Sequence, residues 1–102
     1  MDYKRLEINE GVRAYAGEAG AVLLDVRARQ EYDSGHIPGS VNVPLLELGY
    51  IDETIPEMST PVYVYCLSGG RSRQAVAVLM QMGYENVYDI GGIERYEGEI
   101  EK

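Results

Sequence analysis

Short apolar runs alternate with helical stretches along almost the whole of this chain. Residues 6–8 read as a brief first strand. Asn9 then has the character of an N-cap for a helix over residues 10–18, which Gly20 ends. Residues 21–26, Ala-Val-Leu-Leu-Asp-Val, form a near-continuous apolar run of the kind buried on both faces of a sheet. A short helix is predicted over residues 28–33 with Gly35 after it, then a short strand over 40–43 closed by Pro44. Residues 45–51 and those just beyond look helical as far as Pro56. Residues 62–65 are a strand again. After Ser72 the apolar positions Ala75, Val78, Leu79 and Met82 fall at i, i+3, i+4 and i+7, one buried face of a helix that Gly83 ends. Residues 86–90 are a last strand, Gly91-Gly92 a turn, and residues 93–97 a short terminal helix.

Strands alternating with helices predict an α/β fold: a parallel sheet with helices on both faces. In such sheets functional groups gather beyond the carboxyl ends of the strands. Cys66, the only cysteine, stands at that end of the strand over residues 62–65, followed by Leu67-Ser-Gly-Gly-Arg71-Ser72 and then the helix. A thiol so placed meets converging backbone N–H groups and the positive end of a helix dipole, a setting that favours the nucleophilic thiolate. Gly69 and Gly70 permit backbone angles that let several N–H groups turn toward one point. Arg71 offers a fixed positive charge, and Ser68 and Ser72 offer hydroxyls to a sulfur or to the helix start. Two plainer readings stand beside these. A lone cysteine ending a buried strand is often only a small core residue, and an arginine in a first helical turn is often only solvated. Arg73, about 200° further round the helix from Arg71, reads as surface.

Composition narrows the field. With 45% apolar and 25% charged residues, the chain has the balance of a globular protein, and its length suits one domain over residues 1–102 with a core from about residue 5. No apolar run is long enough to span a membrane. The net charge of −8 argues against nucleic acid and anionic membranes as partners. One cysteine cannot form an intrachain disulfide, and residues 1–7 lack the basic and apolar regions of a secretory signal, so a cytoplasmic protein is expected.

The motifs then resemble a known family. Leu24-Asp-Val-Arg27, Glu31-Tyr32 and Gly35-His-Ile-Pro-Gly-Ser-Val-Asn-Val-Pro44 look like the first signature of the rhodanese family. Residues 66–72 resemble its active-site loop, and Gly83-Tyr with Asn86-Val-Tyr-Asp-Ile-Gly-Gly92 its closing segment. The resemblance implies a three-layer α/β domain around a five-stranded, mostly parallel sheet. It also implies transfer of sulfane sulfur through a Cys66 persulfide, with Cys66 as nucleophile and Leu67, Ser68, Gly69, Gly70, Arg71 and Ser72 as the substrate cradle. The expected partners are a small donor such as thiosulfate, a thiol or cyanide acceptor and a sulfur-relay protein. Neither cofactor nor metal is expected, and the chain is read as a monomer. Tyr96 stands where the family usually has tryptophan, and the closing residues lack a proline often found there.

Four further polar residues near the motifs read as structural. Arg27 and Glu31, at i and i+4, suggest an ion pair, with Asp25 bracing the loop. His36, the only histidine, lies in a turn-like stretch where local hydrogen bonding is the simpler role, and transfer from a thiolate needs no base. A cysteine phosphatase or arsenate reductase is the rival reading. Those enzymes place one residue more between cysteine and arginine, giving a loop wide enough for an oxyanion, whereas four residues separate Cys66 from Arg71. A binding module that keeps the fold without turnover is the third.

Overall fold

The computed structural model describes residues 3–102. Five strands, β1 (Lys4–Arg5), β2 (Val22–Asp25), β3 (Ser40–Asn42), β4 (Val62–Cys66) and β5 (Val87–Gly92), form one sheet in the order β1-β5-β4-β2-β3. Every pairing is parallel. Three α-helices, α1 (Ile8–Ala16), α2 (Arg29–Ser34) and α3 (Gly70–Gln81), occupy the connections, and a run of 3₁₀ turns spans Leu45–Glu53.

The period-2 alternation of β4 builds two cores at once. Val62, Val64 and Cys66 point to the side covered by α3 and the 3₁₀ segment, where they join Leu24, Val26, Ile51, Ala75, Val76 and Leu79. Tyr63 and Tyr65 point to the other side, with Ile8 of α1, Leu23, Ile37 and Ile90. A strand buried on both faces cannot show a polar alternation, which is why β4 reads as a continuous run.

Several boundaries differ from the sequence expectation, each for a local reason. The first strand is Lys4–Arg5, not residues 6–8, because α1 already begins at Ile8. Its cap is Glu7, whose carboxylate accepts from the N–H groups of Asn9 and Glu10. Asn9 instead ties down the far end of the chain: its amide donates to Arg95 O and its carbonyl accepts from Glu97 N. On α3 the fully buried stripe is Ser72, Ala75, Val76 and Leu79, with Val78 and Met82 only partly buried beside it. Gly91-Gly92 is not a turn after β5 but its last two residues. Past the final 3₁₀ turn, Ile93–Arg95, the chain returns so that His36 and Glu101 exchange two backbone hydrogen bonds of 2.8 Å.

Candidate functional site

Cys66 is the last residue of β4 and is 1% exposed. Its Sγ accepts a hydrogen bond from Gly69 N at 3.0 Å, so the chain folds back on the sulfur within three residues. That reversal needs Gly69 at φ +112°, a left-handed angle that a Cβ would oppose. Helix α3 starts at the next residue and directs its N-terminal end at the same loop.

A distortion of β5 fits the sheet to this loop. Val64 pairs with Asp89, but Cys66 pairs with Gly92, so β5 carries one residue more than β4 between those two points. The extra residue is a β-bulge, with Gly91 at φ +86°. It brings Gly92 against the backbone of Leu67 and Ser68 so closely that a Cβ there would collide with Leu67 O. Glu94 N donates to Leu67 O at 3.2 Å from the next turn.

The side chains of the loop divide their roles. Arg71 donates through both terminal nitrogens to Glu31, at 2.6 and 3.0 Å. These bonds hold the Glu31 carboxyl at about 2, against the opposing effect of burial, and raise the Arg71 guanidinium above its ordinary range. Attraction between Arg71 and Cys66 contributes a smaller part of the Arg71 shift. Ser72 Oγ is buried 2.8 Å from Asp89 Oδ1 and 3.1 Å from Gly69 O, so its hydroxyl serves the loop's anchorage rather than the sulfur. Asp89 also accepts from Gly91 N at 3.1 Å, joining the bulge to the first turn of α3. Leu67 and Ser68 are exposed, as is Gly70 at the helix start.

The Arg27–Glu31 ion pair expected from spacing does not form. Arg27 lies outside α2, before its N-cap Ala28, where i, i+4 neighbours are not stacked, and buried Asp25 two residues away captures it instead. Arg27 N, Nε and Nη2 all donate to the Asp25 carboxylate, at 2.8 to 3.1 Å. Burial, the largest single influence, works against the Arg27 charge, but its hydrogen bonds and attraction to Asp25, with lesser attractions to Tyr65 and Glu31, together leave the guanidinium above its ordinary range. Asn42 donates to the carbonyls of Asp25 and Arg27, locking the turn after β2. His36 stacks on Tyr32 with ring centroids 3.8 Å apart; its Nδ1 lies 2.9 Å from Tyr32 O and its Nε2 3.3 Å from Glu101.

Two clefts flank the cysteine loop. One, of about 320 Å³, is lined by Val26, Ala28, Pro44, Leu45 and Leu46 together with Arg29, Glu47 and Arg71. The other, of about 310 Å³, has mixed walls: Ser68, Gly69 and Gly70 of the loop, Leu6, and the charged Arg5, Arg73 and Asp89.

Three partnerships here escaped the sequence reading. Asp89 carried a signal, an acidic residue inside an otherwise apolar strand. The β5 bulge had a weaker one in its glycine pair. Glu31 and Arg71 are 40 positions apart, and nothing in a single sequence links them.

A cysteine ending a central parallel strand, cradled by a glycine-rich loop and a helix start, defines an α/β domain of the rhodanese type. The family model of the rhodanese-like domain matches residues 9–99, and the chain belongs to that family. It is 38% identical over 72 residues to thiosulfate sulfurtransferase PspE of Escherichia coli, covering 70% of this chain and 69% of that protein. It is also 38% identical over 104 residues to adenylyltransferase and sulfurtransferase uba4 of Ogataea parapolymorpha, covering 99% of this chain but only 27% of that longer protein. Among solved structures, a rhodanese with anions from E. coli superposes with a TM-score of 0.75 at 34% identity, covering 80% of this chain and 98% of that one.

Proposed function

We propose that the chain is a sulfurtransferase in which Cys66 carries sulfane sulfur as a persulfide. The observation that carries this reading is the Cys66 cradle: a sulfur at a strand end with Gly69 N–H on it at 3.0 Å and α3 starting beside it. The thiolate attacks the outer sulfur of thiosulfate, the Sγ–S bond forms, and the S–S bond breaks with its electron pair leaving on sulfite. A second nucleophile, a thiol or cyanide, then attacks the outer sulfur of the persulfide and releases the Cys66 thiolate. The names of relatives support this class: PspE and, in Pseudomonas syringae, GlpE are thiosulfate sulfurtransferases.

Leu67, Ser68, Gly69 and Gly70 supply the loop around the bound sulfur, and Arg71 the nearby positive charge. No cofactor takes part, the persulfide itself being the intermediate. With no second cysteine in the chain, the sulfur must leave to another molecule. A sulfur-relay protein is one such acceptor, and a relative in Bacillus subtilis is named a putative sulfur carrier protein. The reading takes the chain as a cytoplasmic monomer, since a reducing compartment keeps a lone thiol free.

Intact-mass measurement after incubation with thiosulfate tests the proposal. A species one sulfur heavier is expected in the wild type and not in Cys66→Ser, with sulfite released in proportion. Turnover of an aryl phosphate with no sulfur-loaded species would replace it by the phosphatase reading. Sulfite release no faster than in Cys66→Ser would leave a binding module.

A further inference from the structure

The cleft beside Arg71 has a peculiar charge balance. Two guanidiniums line it, and each faces a carboxylate: Arg71 is bonded through both nitrogens to Glu31, and Arg29 lies 3.8 Å from Glu47. The remaining wall is largely apolar, with Val26, Pro44, Leu45 and Leu46. Leu46 is 98% exposed, a leucine on the cleft rim with nothing over it. Val26 lines the cleft and also belongs to the apolar cluster that includes Cys66, and Arg71, the cation that follows the cysteine loop, lines the cleft as well.

A bare dianion finds little here. Thiosulfate has no apolar surface to bury, and to use Arg71 it must share a guanidinium already occupied in the fork geometry that suits a carboxylate. A donor with an apolar body gains from burying that body against Leu45, Leu46 and Pro44, and needs less of the cation.

We propose that this cleft selects sulfane-sulfur donors carrying an apolar body over bare thiosulfate, and that Glu31 is the positioning residue that sets the preference through Arg71. The inference rests on the reading of Cys66 as the sulfur acceptor. An aryl thiosulfonate illustrates the chemistry. The Cys66 thiolate attacks its terminal sulfur, the Sγ–S bond forms, and the S–S bond to the sulfonyl group breaks with its electron pair leaving on the aryl sulfinate. Charge is conserved, and no oxidant or reductant enters.

The experiment compares benzenethiosulfonate with thiosulfate in the wild type, Glu31→Gln and Leu46→Asn, each rate divided by that donor's rate with a free small thiol to remove intrinsic reactivity. The wild type is expected to favour benzenethiosulfonate by about tenfold in kcat/KM. Glu31→Gln keeps an oxygen for Ala28 N, which Glu31 Oε1 meets at 3.0 Å, while removing the charge that occupies Arg71. It should lower the thiosulfate KM about fivefold with little change in kcat, shrinking the preference. Leu46→Asn, at a side chain whose exposure spares the fold, should shrink the preference from the other side by raising the KM for benzenethiosulfonate. A wild-type preference for thiosulfate, a thiosulfate KM raised by Glu31→Gln, or a Leu46 variant with an unchanged ratio would each overturn the proposal; the last would direct donors to the opposite cleft. If neither donor loads sulfur onto Cys66, the sulfurtransferase reading itself fails, and this inference with it.

Discussion

Glu31 stands at the junction of two elements: its Oε1 accepts from Ala28 N at the start of α2 and from Arg71 Nη1 in α3. The carboxyl is held at about 2, below its ordinary 4.5, first by the Arg71 hydrogen bonds and against burial. A depressed folded-state value means stability that is fully present above about pH 4.5 and is lost as pH falls toward 2. With the pair about one-third exposed, its contribution at neutral pH is modest, about 1 kcal/mol or less. Urea unfolding at pH 7, 4.5 and 3 should therefore show wild type and Glu31→Gln converging as the pH drops. A gap between them that stays constant down to pH 3 would mean that the ion pair contributes no pH-dependent stability.

At the scale of elements, the cysteine loop is pinned from behind by β5 rather than from its own ends. Ser72, fully buried in the first turn of α3, faces Asp89, and Asp89 in turn holds the bulge at Gly91. Removing the Ser72 hydroxyl leaves a buried carboxylate short of a donor, which costs about 1–3 kcal/mol. Ser72→Ala should lower Tm by several degrees, and hydrogen exchange at the amides of residues 67–71 should speed up. Unchanged protection there would show that Gly92 and Glu94 hold the loop without Asp89.

This layering explains what could be read in advance. The strand-loop-helix order around Cys66 is local, written in an apolar run, two glycines and a 3.6 period, and the parallel sheet follows from the alternation of elements. The errors fall where a buried or distant partner wins over a helical-spacing rule. Arg27 left its i, i+4 neighbour for buried Asp25, Asn9 gave up capping to hold the chain's end, and Arg71 met a carboxylate from another connection. Side-chain pairings across the sheet carry no spacing signal, so the electrostatics of the candidate site were the least legible part of it.

For the molecule as a whole, the relevant quantity is charge set against size. The fold measures 31 × 26 × 22 Å and carries a net charge of −8. At 0.01 M salt the Debye length is about 30 Å, so an approaching anion senses the entire negative surface; at 0.1 M it is about 10 Å, and only the neighbourhood of the cysteine loop counts. That neighbourhood holds Arg71, Arg29, Arg5 and Arg73 along the two clefts. Screening therefore removes repulsion from distant carboxylates faster than attraction at contact distance, and it also loosens Glu31 from partly exposed Arg71. Both effects act in one direction on thiosulfate. Its kcat/KM should rise between 0.01 and 0.1 M of an inert salt and then level off, while a neutral alkylating agent reacts with Cys66 at a rate independent of salt. A steep fall of the thiosulfate rate over the same range would mean that the local cations, and not the net charge, govern its approach.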